Sequence, residues 1–179
     1  MKLISLLKEK RPNILKRWIN LILDTYPAES ARFFRSQKNR FANPVGSIVA
    51  KGAEDLFDEI LQENNPDKIS TFLDNIIRVR ATQDFTPSQA VSFIFLLKKV
   101  LREELNKEIQ ENDIDDELLA IESRIDDVAL LAFDIFVKCR EKIFELKAME
   151  LNNQTYTLLK RAKLIIDLEE QETSRKGNQ

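Results

Sequence analysis

Histidine is absent from the chain. Its absence removes Ser-His and Cys-His nucleophilic catalysis. It also removes the usual zinc sites, the Glu-x-x-His pairs of di-iron bundles and a haem held by a proximal histidine. Glycine is scarce, with 3 residues in 179, and none belongs to a phosphate loop of the Walker or dinucleotide type. The single cysteine, Cys139, cannot form an internal disulfide, which points to a reducing cytoplasm. It could carry a chromophore only without any supporting motif. No stretch approaches the ~20 apolar residues of a membrane helix, and the apolar run in MKLISLLKEKRP is too short for a signal peptide. Neither sign of charge dominates, with 28 Lys and Arg against 30 Asp and Glu, so there is no case for nucleic acid or an anionic membrane. The carboxylate pairs Asp115/Asp116 and Asp126/Asp127 are adjacent. Neighbours on a helix diverge by ~100°, so these pairs do not converge on one atom. The expectation is a protein that is not an enzyme and holds no cofactor and no metal.

What is present is helical periodicity. The length suits one domain with a real core, and the 5 prolines fall between periodic segments. A short leading helix is expected over Leu3 to Glu9. A second starts at Pro12 with Ile14, Leu15, Trp18, Ile19 and Ile22 on its inner face, and ends at Tyr26-Pro27. Trp18 is core or the lining of a pocket. A short helix follows from Pro27 to about Ser36. Asn43-Pro44 and Asn65-Pro66 each pair a capping residue with proline at the first helical position. In the helix from Pro44, Gly52 beside Ala53 on the inner face implies close approach of another helix.

The stretch from Ile76 to Leu97 organises the rest. Thr86-Pro87-Ser88-Gln89 fits a capping box, with a helix behind it ending near Asp84 or Phe85. That helix carries the stripe Ile69, Phe72, Leu73, Ile76 and Ile77. Arg78 faces water, but Arg80 falls near the middle of the stripe with Gln83 and Asp84 on its flanks. A buried guanidinium needs a partner, and Asp84 stands four residues on. The cluster is either a structural clamp or the polar lining of an internal ligand or signal site; the candidates are Arg80, Gln83, Asp84, Gln89 and Trp18. After Pro87, Phe93 to Leu97 are apolar in unbroken succession, as in a central helix. That helix is expected to run to Asn112-Asp113, with Asp113 capping the next.

Arg32, Arg35, Lys38 and Arg40 form the most basic patch. It is a solvated surface or, through Arg32, Arg35 and Arg40, a contact for an acidic or phosphorylated partner. Phe33, Phe34 and Phe41 are not spaced as a stacking platform for RNA. The last helix is long. Asp134 within VALLAFDIFV aligns with Asp127, Lys138, Glu141 and Glu145 on one polar stripe. Phe144, Leu151, Leu158 and Ile165 recur every seven residues, with Ala148, Thr155 and Ala162 at the other seam position, as in a short coiled coil. Thr173 to Gln179 reads as a frayed tail.

RFANPVG (Arg40 to Gly46), IIRVRATQDFTPSQAVSFIF (Ile76 to Phe95) and WINLILDTYP (Trp18 to Pro27) resemble the N-terminal domain of RsbRD-type RsbT co-antagonist proteins. These are bacterial signalling proteins related to the stressosome sensors. The resemblance covers roughly the first 150 residues. It implies a helical input domain similar to non-haem globin-like sensor domains, dimeric, cytoplasmic and without catalysis. Such domains usually precede a STAS domain or a kinase; here no such module follows the helix, which leaves a stand-alone regulator or an excised input domain, with a STAS-domain protein or kinase as partner. The expectation is therefore an all-α, multi-helix globular bundle over residues 1–146, with a helical extension over 147–179. It acts as a homodimeric input domain that transmits through its last helix. The alternative from another class is a helical carrier holding a small apolar ligand in its core.

Overall fold

The computed structural model describes residues 2–37, 39–62, 65–111, 114–162 and 164. Ile165, the Asp113 cap, Lys38 of the basic patch and the Thr173–Gln179 tail lie outside them. The described residues form seven helices and no strand: α1 (Lys2–Asp24), α2 (Ala28–Ser36), α3 (Pro44–Leu61), α4 (Pro66–Ala81), α5 (Pro87–Glu104), α6 (Asn106–Glu111) and α7 (Asp115–Arg161). The protein is all-α. None of these helices is long and apolar enough to cross a membrane, and among the described residues no cluster of acidic residues and cysteine could hold a metal ion.

The chain forms two compact units, residues 1–140 and a second beginning at Glu141. In the first, α1 packs on α2, α3 and α5, and α3 packs on α4. Its core holds Trp18, Leu56, Phe57, Ile76, Phe93 and Phe136. Gly52 permits the α3–α4 contact. A Cβ there would come within 2.7 Å of Ile76 Cδ1 and 2.9 Å of its Cγ1. Within this unit α7 is pinned by side chains. Arg102 forks onto Glu122 at 2.6 and 2.7 Å, Lys98 meets Asp126 at 2.5 Å, and Arg124 Nη1 donates to the Ile60 carbonyl at 3.1 Å. In the second unit, Leu151, Tyr156 and Leu158 of α7 are exposed.

Local chemistry sets the helix starts. Asn43 Oδ1 accepts from the Gly46 N–H, Asn65 Oδ1 from the Asp67 N–H, and Thr86 with Gln89 closes the expected capping box. Four expectations change. The leading segments are one helix with Pro12 inside it. Leu3, Leu7, Ile14 and Trp18 make one buried stripe across the proline, and that packing offsets the ~3 kcal/mol an interior proline costs. α4 stops at Ala81, three residues before Asp84. The Thr82 N–H turns back to the Arg78 and Arg80 carbonyls, so the last turn satisfies itself locally. The helix from Pro87 breaks at Leu105, beside the point where Lys10 Nζ donates to the Glu104 carbonyl at 2.7 Å. It is not buried all round either: Phe95 is 46% exposed, about 100° from its buried neighbour Ile94.

Candidate functional site

The α1–α2 junction and the α4–α5 junction each place an aromatic residue just before a proline-led helix: Tyr26 before Pro27, and Phe85 before Thr86-Pro87. The two junctions meet. The Tyr26 ring lies edge-on to Phe85 and to Phe34 of α2, each at 5.3 Å between centroids. These rings wall a cleft of about 800 Å³, whose polar lining includes Thr25, Ser30, Gln83, Asp84, Gln89 and Ser92.

Arg80 stands behind this wall and is fully buried. Its Cζ lies 5.0 Å from the Tyr26 ring centroid and 4.8 Å from those of Phe85 and Phe93. Nη2 donates to Thr25 Oγ1 at 2.8 Å, and Nη1 donates to the Gln89 carbonyl at 3.2 Å and, more distantly, to that of Ala90. Nε has no partner. No described carboxylate pairs with it. The expected pairing with Asp84 is not made, because α4 ends before it and Asp84 is exposed at the cleft rim. Burial pulls the Arg80 pKa down, opposed by Tyr26, but an arginine keeps its charge in a protein. Three ring faces therefore stand where a counter-ion would.

Two polar atoms of cleft residues are shielded from solvent: Gln83 Oε1, which has no partner, and Tyr26 Oη, which lies against the Arg80 guanidinium. Burial pushes the Tyr26 phenol above its ordinary 10.0, opposed by the Arg80 charge. Orphaned buried polar groups are costly and call for an explanation.

Gln83, Asp84 and Gln89 of the sequence candidates thus line one cleft, with Arg80 behind its wall. The Gln89 side chain is engaged in the capping box, and its backbone carbonyl is what meets Arg80. Trp18 does not line the cleft. It is fully buried, with Nε1 donating to the Phe93 carbonyl at 2.8 Å. Arg32, Arg35 and Arg40 are exposed. Arg35 is ion-paired to Asp24, and Arg40 lines a separate groove between α3 and α4 of about 540 Å³. Tyr26, Phe34, Phe85 and Phe93 were not among the sequence candidates; for Tyr26 and Phe85 the available signal was an aromatic residue just ahead of Pro27 and of Thr86-Pro87. Another link was also missed. Arg140 Nη1 of α7 donates at 3.1 Å to the Ala81 carbonyl, the residue after Arg80.

The described residues define an all-α domain with an aromatic-walled cleft. Residues 12–151 match the family described as the RsbT co-antagonist protein rsbRD N-terminal domain, and the chain belongs to that family, one of regulatory signalling domains. It is also similar to an uncharacterised protein of Archaeoglobus fulgidus, 26% identical over 143 residues that cover 78% of this chain and 83% of that protein. No solved structure matches it.

Proposed function

We propose that this chain is a non-catalytic input domain in an RsbT co-antagonist-like pathway, in which the Arg80 cleft receives the signal and α7 passes it on. The family match over residues 12–151 carries the reading. The Arg140–Ala81 bond supports the route, because it joins α7 to the end of α4 beside the cleft. A shift between two packings of that junction would be felt along one continuous helix. Residues 1–146 serve as the input domain and 147–179 as a helical extension. The protein acts in the cytoplasm as a homodimer, with a STAS-domain protein or a kinase as downstream partner. The exposed residues Phe144, Leu151 and Leu158, with the small side chains of Ala148 and Thr155 between them, suit pairing of two such helices.

Light scattering tests the dimer on the full chain and on a chain ending at Leu146. The full chain is expected to be dimeric and the shorter one monomeric, or at least tenfold weaker in association. A monomeric full chain, or an equally tight truncated dimer, removes α7 from the mechanism. A carrier for a small apolar molecule is the second reading, supported by the three aromatic walls of the cleft. An apolar molecule retained through purification, detected by native mass spectrometry, would favour it.

A further inference from the structure

The homodimer of the signalling reading leaves open which surface of residues 1–140 takes part. We propose that the outer face of α5 and α7 is a twofold contact with a second copy of this chain, its axis parallel to the two helices. This proposal rests on the reading of the protein as a homodimer.

The register of the face follows from its ion pairs. Lys98 meets Asp126, and Arg102 meets Glu122. Four residues forward on α5 thus match four residues back on α7, so the helices run antiparallel, side by side. One turn beyond the Lys98–Asp126 pair, Phe95 of α5 comes level with Leu130 of α7, and Phe133 follows one turn on. All three side chains are exposed, by 46%, 68% and 43% in that order. An exposed apolar cluster rimmed by charge marks a surface that another molecule covers.

The two edges of this face carry opposite charge. Lys99 stands ~100° round α5 from Lys98, on the side away from α7. It is 62% exposed, and its paired carboxylate, Glu103, is 3.9 Å away. Asp127 stands ~100° round α7 from Asp126, on the side away from α5. Asp127 and Asp134 are exposed and have no ion-pair partner among the described residues.

That complementarity of the face with itself selects a second copy as the occupant. Rotation about an axis parallel to the helices keeps every residue at its level and exchanges the two edges. α5 of one copy then lies over α7 of the other, with no freedom to slide. Phe95 of each copy meets Leu130 of the other. Lys99 of each comes within about two residues, ~3 Å, of the level of Asp127 of the other. Every contact occurs twice, as an isologous interface requires. An axis across the helices would instead stack α7 on α7 and set the acidic edges against each other, which like charges oppose.

The test is sedimentation equilibrium of the full chain and its variants in about 0.15 M salt, where long-range charge effects are screened. Leu130→Lys should weaken the dimer about tenfold or more. Lys99→Asp and Asp127→Lys should each weaken it about three- to tenfold, because each sets like charges together at both contacts. Mixed in equal amounts, these two variants should form a heterodimer about as tight as the wild-type dimer, since opposite charges then meet at both contacts. Within one copy the two positions lie on opposite edges, so the recovery arises only across the interface. All three positions are exposed, and circular dichroism reports whether each variant is folded. A dimer indifferent to Leu130→Lys, or variants that do not recover on mixing, would overturn this face and leave pairing through the α7 extension standing. A monomeric wild-type chain would overturn the face and the homodimer together. Recovery on mixing, with the chain ending at Leu146 as tight a dimer as the full chain, would uphold the face while the α7 extension left the mechanism.

Discussion

Arg140 reaches from α7 to the last carbonyl of α4, with Nη1 3.1 Å from the oxygen of Ala81. A cation at a helix C-terminus satisfies an orphan carbonyl and complements the helix dipole. This one does so beside the residue whose guanidinium stands behind the cleft. Arg140→Gln should cost about 0.5–1.5 kcal/mol in urea unfolding and quicken amide exchange in the last turn of α4. Unchanged exchange there would mean that α7 does not steady the junction.

Arg80 separates two kinds of contribution. Arg80→Ala removes a large buried side chain and its three hydrogen-bond contacts, and should destabilise the fold by roughly 2–4 kcal/mol. Arg80→Met fills much of the same space without a charge to desolvate, so it should stay within about 1 kcal/mol of the wild type. Arg78→Ala should be indistinguishable from wild type, since Arg78 is exposed and held only by its surface pair with Asp74. If the methionine variant costs as much as the alanine one, the guanidinium is a structural necessity.

The buried position of Arg80 was legible because helix phase is a local property: Ile69, Leu73, Ile76 and Ile77 mark the face, and Arg80 follows on it. The three cap starts at Asn43, Asn65 and Thr86 were legible for the same reason, each being chemistry within a few residues. What surrounds Arg80 was not. Thr25, Tyr26 and Phe93 lie on α5 and at the end of α1, and nothing in local spacing says that these will meet α4. Asp84 was the natural partner only while α4 was assumed to continue through it. Pro12 misled in the opposite direction. Its local cost is real, but Leu7 and Ile14 are buried on either side of it, and tertiary packing outweighed the breaker.

Asn43 ties two helices with one side chain. Its Nδ2 donates to the Phe34 and Gln37 carbonyls, each at 2.8 Å, while Oδ1 accepts from Gly46. Asn43→Ala should cost about 1–3 kcal/mol, a lost cap of ~1 kcal/mol plus two part-buried carbonyls that lose their donor. Asn43→Asp retains the cap but turns a donor into an acceptor facing those carbonyls, so thermal unfolding should place it closer to alanine than to wild type. An aspartate as stable as asparagine would show that the α2–α3 connection is not held by this amide.

Tyr26 gives the cleft a signature in pH. Burial raises its pKa above the ordinary 10.0, against the opposing pull of Arg80. Between the unfolded and folded values the native state therefore binds more protons than the unfolded state, and stability falls as pH rises. The contribution is complete below pH 10 and is lost as pH climbs from there through the folded value. The sequence has 2 tyrosines, so Tyr26→Phe leaves Tyr156 alone, and the difference between the two proteins' tyrosinate absorbance isolates the Tyr26 titration. That difference should rise only above pH 10. The gap in unfolding free energy between wild type and Tyr26→Phe should be flat at neutral pH and move against the wild type above pH 10. A Tyr26 that titrates at or below pH 10 would mean that water reaches its hydroxyl and that the junction around Arg80 is not closed to solvent.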